Sequence, residues 1–147
     1  MGERRVLVDS NVLIHLTNPI SQERRDADRS IELLGSQGVV FVYTSQNLAE
    51  FWNVCTRDLP GGLGLSIEQA NLRLEMIESQ FEFLPELERM GQILKDLLVR
   101  YRVRGVQVHD ARLAALMIAN GVEEILTFDR NDFTRYREIT VLHPADI

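Results

Sequence analysis

Three short apolar runs, separated by helical patterns, do most to limit what this chain can fold into. They are RRVLVD at Arg4–Asp9, VVFVY at Val39–Tyr43 and EILTF at Glu124–Phe128. Their apolar residues are largely consecutive rather than alternate, so both faces of each strand are predicted to be covered. The segments between them carry helical periodicity. Asn11–Leu16 reads as a helix, and Gln22–Leu34 as a surface helix with Ile31, Leu33 and Leu34 at its end. After VVFVY, either Thr44 or Ser45 suits a helix cap, and Leu48, Phe51, Trp52 and Cys55 recur at i, i+3, i+4 and i+7. LPGGLGL at Leu59–Leu65 reads as a loop, and Ser66 with Gln69 as a capping box that opens a helix to about Ser79. FEFL at Phe81–Leu84 alternates like a short strand and meets Pro85. Two longer helices follow. Glu86–Arg102 has Leu87, Met90, Ile93, Leu94, Leu97 and Leu98 on one face, and Val108–Asn120 ends at Gly121. Thr140–Leu142 is read as a last edge strand. Alternating strands and helices predict an α/β fold, a three-layer α/β/α sandwich on a mainly parallel sheet of four or five strands.

With 147 residues and no linker, repeat or low-complexity stretch, the chain is read as one domain spanning residues 1–147. It is long enough to build a core without disulfide staples. Its single cysteine, Cys55, has no internal partner, so a reducing, cytoplasmic home is expected. No apolar run approaches the ~20 residues a membrane helix needs. Formal net charge is −6, which excludes a strongly basic nucleic-acid footprint. Fifteen of the 16 basic residues are arginine, Lys95 being the exception. Any RNA site must then be a local patch or must recruit cations.

In parallel sheets, ligands bind beyond the carboxyl ends of the strands. That rule selects Asp9, which follows VLV, and Asp129, which follows EILTF. Glu50 and Asp110 lie near the starts of the helices on either side, and Asp132 is three residues past Asp129. Each has a plain alternative. Asp9 suits an N-cap, Asp110 suits a helix dipole, and Asp129 and Asp132 suit turns. Glu50 points away from the Leu48–Cys55 stripe and reads as solvated unless that helix borders a cleft. Together they read differently, because converging carboxylates repel unless a cation binds among them. All-oxygen ligands favour Mg²⁺ or Mn²⁺ over zinc, and such ions activate water and stabilise a phosphodiester leaving group. Clustering also raises carboxyl pKa values, so cation-dependent activity is expected to fall at mildly acidic pH.

The succession VDSNVLI, NLAEFWNV, VHDARLAALMIANGV and ILTFDRNDF resembles the PIN-domain ribonucleases, and among them the VapC-type toxins of prokaryotic toxin–antitoxin pairs. The likeness runs from Val6 to the closing VLHPADI. It implies an Mg²⁺- or Mn²⁺-dependent endoribonuclease that uses water as nucleophile. Asp9, Glu50, Asp110 and Asp129 match the family's catalytic, metal-holding acids. Ser10 or Asn11 matches a small polar residue after the first acid, and Thr127 a hydroxyl before the last. Asp132 is read as outer support for Asp129, with the reverse assignment open. RNA as substrate, a cognate antitoxin that inserts a segment into the acidic groove, and a homodimer are implied too. The alternative from another class is a PIN-like module that binds RNA or protein without cutting it.

Other features carry less. A dehalogenase-like phosphatase expects an acid where Asn11 stands, and a receiver domain expects a late lysine, while Lys95 is mid-helix. His15, His109 and His143 lack metal-ligand spacing; His109 is adjacent to Asp110 and suited to orient it. Cys55, Phe51 and Trp52 are read as core. The glycine loop lacks the Gly-Lys-Ser/Thr of a phosphate-binding loop and is read as a flexible lid or dimer-edge loop. Arg4, Arg5, Arg57, Arg112 and Arg130 are the basic residues nearest the strand-end acids in sequence, and so candidates for RNA contact, with a salt-bridged surface as the default.

Overall fold

A computed structural model describes residues 2–147. Five parallel strands form one sheet in the order β3-β2-β1-β4-β5. They are β1 (Arg5–Val8), β2 (Val40–Tyr43), β3 (Glu82–Phe83), β4 (Glu124–Leu126) and β5 (Thr140–Leu142). The helices are α1 (Ser10–Thr17), α2 (Arg24–Ser36), α3 (Ser45–Thr56), α4 (Ile67–Gln80), α5 (Met90–Arg100) and α6 (Val108–Ala119). The three-layer expectation holds, and the sheet is wholly parallel rather than mainly so. Among the described residues no helix is long and apolar enough to cross a membrane.

The continuous apolar runs are explained by the layers. Along β1, Val6 and Val8 pack into the core under α1–α4, and Leu7 into the core under α5 and α6. β2 divides the same way, with Phe41 and Tyr43 on one side and Val42 on the other. Past its first residue, each inner strand therefore carries apolar residues throughout. Phe51 and Cys55 are fully buried, as predicted, and Trp52 packs at the edge of the same core.

Several boundaries moved. Thr44, not Ser45, caps α3, in a capping box completed by Asn47, and Ser66 with Gln69 forms the expected box on α4. α5 begins at Met90 instead of Glu86. Leu84 still pairs with Tyr43 across the sheet, so the chain leaves the strand late and turns before the helix opens. Leu87 consequently falls outside the helical stripe and is exposed. The glycine loop is not a free lid. Leu63 and Leu65 donate to the Val54 and Cys55 carbonyls at 2.9 Å, and Arg57 donates to the Gly61 carbonyl. A Cβ on Gly62 would stand 2.2 Å from the Arg57 carbonyl oxygen, so only glycine allows this return.

The strand order has one switch point. β1 leads outward through β2 to β3, then the chain returns to the other side of β1 for β4 and β5. The gap beyond the carboxyl ends of β1 and β4 is where this topology opens a crevice.

Candidate functional site

Asp9 is the first residue past β1 and caps α1, its Oδ1 accepting the Ser10 N–H at 2.8 Å. Its Oδ2 accepts the Thr127 hydroxyl at 2.7 Å from across the switch point. The capping role and the site role thus belong to one carboxylate. Asn11 joins the same two loops. Its Nδ2 donates to Thr127 Oγ1 at 3.2 Å and to Asp129 Oδ2 at 3.3 Å, and its Oδ1 accepts the Phe128 N–H at 3.2 Å. Thr127 Oγ1 also accepts the Asp129 N–H at 3.0 Å. Ser10 turns the other way, to Asn47 of α3, whose Nδ2 donates to Ser10 Oγ at 3.3 Å. Asp9, Ser10, Thr127 and Asn47 are all buried, which makes this network rigid.

The network forms the floor of a cleft of about 200 Å³. Asp9, Glu50, Asp110, Asp129 and Asp132 all line it, with Ser10, Asn11, Ile14 and Val54, and no Lys, Arg or His is among its walls. The four expected acids and Asp132 are therefore brought together. Glu50 resolves the ambiguity of its helical wheel. α3 buries Asn47, Phe51 and Cys55 on one side, while Glu50 and Val54, one turn apart, border the cleft.

Electrostatics follow from the crowding. Burial pushes Asp9 up to about 6 against the pull of its Thr127 and Ser10 hydrogen bonds, and the charges of Glu50 and Asp129 add to the rise. Asp110 is pushed up to about 7 by burial and then by Asp132, Asp9, Glu50 and Asp129. Glu50 is raised by burial, partly offset by a Gln46 hydrogen bond and by His109. Burial and Asp129 raise Asp132.

Among the described residues no three His, Cys, Asp or Glu side chains are already grouped as a metal site. The donor chemistry nonetheless fits a hard cation. Every charged group in the cleft is a carboxylate, and each oxygen held by a hydrogen bond keeps a second lone pair. Like charges repel, and a small cation that retains waters does not require its ligands in contact beforehand.

The five arginines are less well placed for RNA. Arg4 pairs with Glu124 at 2.7 Å and Arg5 donates to the Asn120 carbonyl, both at the amino end of the sheet and away from the acids. Arg57 closes the glycine loop, Arg130 pairs with Asp146, and Arg112 pairs with Glu86. His15 and His143 both pack edge-on against Phe128, at 5.1 and 5.4 Å between centroids, so His143 is part of the fold rather than a loose tail. Sequence reading missed Asn47 and Gln46. Asn47 stands three residues after Thr44, the capping-box position, and was findable there. Gln46 had no signal beyond lying four residues before Glu50.

A family model for the PIN domain matches residues 6–139. Among solved structures, the chain is similar to one from the VapBC2 assembly of Rickettsia felis bound to promoter DNA, at 16% identity and TM-score 0.72, covering 95% of this chain and 98% of that one. It is similar to a chain of DNA-bound VapBC from Salmonella typhimurium, at 18% identity and TM-score 0.68, covering 96% and 98%. It also resembles the sarcin-ricin-loop-cleaving toxin VapC20 of Mycobacterium tuberculosis, at 20% identity and TM-score 0.60, covering 86% and 92%. At these identities the structural likenesses speak to fold. No curated protein sequence matches the chain. With 134 consecutive positions matched and the acids gathered at the switch point of a parallel sheet, the chain belongs to the PIN-domain family.

Proposed function

We propose that this protein is a metal-dependent endoribonuclease and the toxin of a toxin–antitoxin pair. One observation carries the reading: five carboxylates, and no cationic side chain, line a single cleft at the switch point of the sheet. The solved relatives support the toxin assignment, since two are VapBC assemblies and a third is a toxin that cleaves the sarcin-ricin loop.

Asp9, Glu50, Asp110 and Asp129 would hold one or two Mg²⁺ or Mn²⁺ ions, with Asp132 supporting. A bound cation supplies an activated water and neutralises charge developing on phosphorus. The chain's own residues supply the rest. Thr127 and the Ser10 N–H fix the Asp9 carboxylate in one orientation, and Asn11 does the same for Asp129. A fixed ligand arrangement needs no reorganisation during reaction. The cleft's acidity excludes bare RNA phosphates until cations enter, so the cleft is expected to be inert toward RNA without them. An antitoxin segment carrying a basic side chain would neutralise these walls, and a homodimer and a cytoplasmic setting complete the proposal.

The test is incubation of purified protein with total RNA in Mg²⁺, in Mn²⁺ and in EDTA, beside Asp9→Asn. Discrete fragments that vanish in EDTA and in the variant are expected. Intact RNA from well-folded protein under every condition overturns the nuclease reading and leaves the non-cleaving module.

A further inference from the structure

The two helices that bring Glu50 and Asp110 to the cleft are joined by hydrogen bonds at one side chain. Gln46 Nε2 donates to the His109 carbonyl at 2.8 Å, and Gln46 Oε1 accepts Arg112 at 2.8 Å. Among the described residues no other hydrogen bond connects α3 with α6. The positions are telling. Gln46 lies in the first turn of α3, four residues before Glu50 and on the same face. His109 lies in the first turn of α6, immediately before Asp110. Arg112, the other partner, is anchored by Glu86, which also accepts the Ser45 hydroxyl at 3.3 Å. A primary amide is suited to this place, because it offers a donor to the carbonyl and an acceptor to the guanidinium at once. Neither Glu nor Lys can do both. Gln46 itself does not line the cleft.

We propose that Gln46 is a positioning residue that sets the separation of Glu50 from Asp110, and through it the cleft's affinity for a divalent cation. This rests on the metal-dependent reading above. The physical need is plain. Glu50 and Asp110 repel each other and are carried on separate helices, one on each side of the sheet. Without the strap, repulsion is opposed at this rim only by packing and by the exposed Ser45–Glu86–Arg112 link. With it, the two first turns are pinned, and a cation meets acids already held at a set spacing. A side chain acting on ligand spacing changes metal binding and kcat, while leaving RNA docking as it was.

Mn²⁺ titration by calorimetry on the full chain, at fixed pH, tests the idea with Gln46→Met, Gln46→Asn and Asp9→Asn beside the wild type. Gln46→Met keeps length and loses both strap hydrogen bonds together with the hydrogen bond to Glu50. Gln46→Asn keeps the amide and is one methylene too short to span both partners, and serves should the first variant fail to fold. Mn²⁺ affinity about 10-fold weaker is expected in each Gln46 variant, with apo melting temperature within a few degrees of wild type. Cleavage should lose kcat with KM for RNA unchanged. Wild-type affinity for Mn²⁺ in both folded Gln46 variants overturns the positioning role and leaves the nuclease reading intact. Absence of Mn²⁺ binding by the wild type itself overturns the metal-dependent reading, and this inference with it.

Discussion

At the amino ends of β1 and β4, Arg4 pairs with Glu124 at 2.7 and 2.9 Å and Arg5 is spent on the Asn120 carbonyl. At the carboxyl ends of the same two strands, Asp9, Asp129 and three further acids face one cleft with no cation in its walls. The strands are shared, so backbone pairing cannot account for the difference. One end has its charges matched and is built to hold the sheet together. The other carries unmatched like charge, which costs stability in the free protein and persists because something else is meant to supply the counter-charge.

Breaking the unmatched end should have the largest effects. Asp9→Asn is expected to lower RNA cleavage by ~10³-fold or more, read from single-turnover rates in Mn²⁺. Thr127→Val removes the hydroxyl that orients Asp9 while keeping shape, and should cost ~10–100-fold in metal affinity or rate. Activity should also decline as pH falls through about 7 and then 6, where Asp110 and Asp9 take up protons that compete with the cation. A flat rate from pH 8 to pH 5 would contradict the carboxylate site.

Stability should move the opposite way. A carboxyl whose folded pKa lies above its unfolded value costs stability when ionised, in full above the folded pKa, and the cost disappears below the unfolded one. Asp110, raised from 3.8 to about 7, and Asp9, raised to about 6, both have this sign. The metal-free protein should therefore melt higher at pH 5.5 than at pH 8. Asp110→Asn should raise the melting temperature in EDTA by about 3–6 °C at pH 8, a gain that shrinks below pH 7 and is gone only below about pH 4. The matched end should respond least. Glu124→Gln opens an exposed pair worth about 0.5 kcal/mol and should leave cleavage unchanged. A loss of activity there would dissolve the contrast between the two ends.

Much of this contrast was legible before any coordinates. Continuous apolar strands announced two covered faces, and Asp9 and Asp129 announced themselves by following such strands. By periodicity alone Glu50 read as a solvated residue unless its helix borders a cleft, and the family likeness singled it out, because a helical wheel shows which side faces the core and says nothing about whether the opposite side borders a cleft. Arg4 and Arg5 were candidates for RNA contact only by nearness in sequence, and their default reading as paired surface residues holds. They are four or five residues from Asp9 in sequence, and a strand of that length carries them to the far edge of the sheet. Gln46 was invisible because its partners, His109 and Arg112, are more than 60 residues away, and nothing in its local pattern announces them.

The hydrogen bond from Thr127 to Asp9 spans 118 residues. The central strand β1 cannot meet its second neighbour β4 until all the residues between them have been made. Long-range pairing of this kind forms slowly and late. An unfinished copy of this protein therefore has half a sheet, an unsupported Asp9 and no opposing wall. On the proposed reading, a copy that stops short of β4 is harmless to the RNA around it, because Thr127 and Asp129 are both still missing from the cleft.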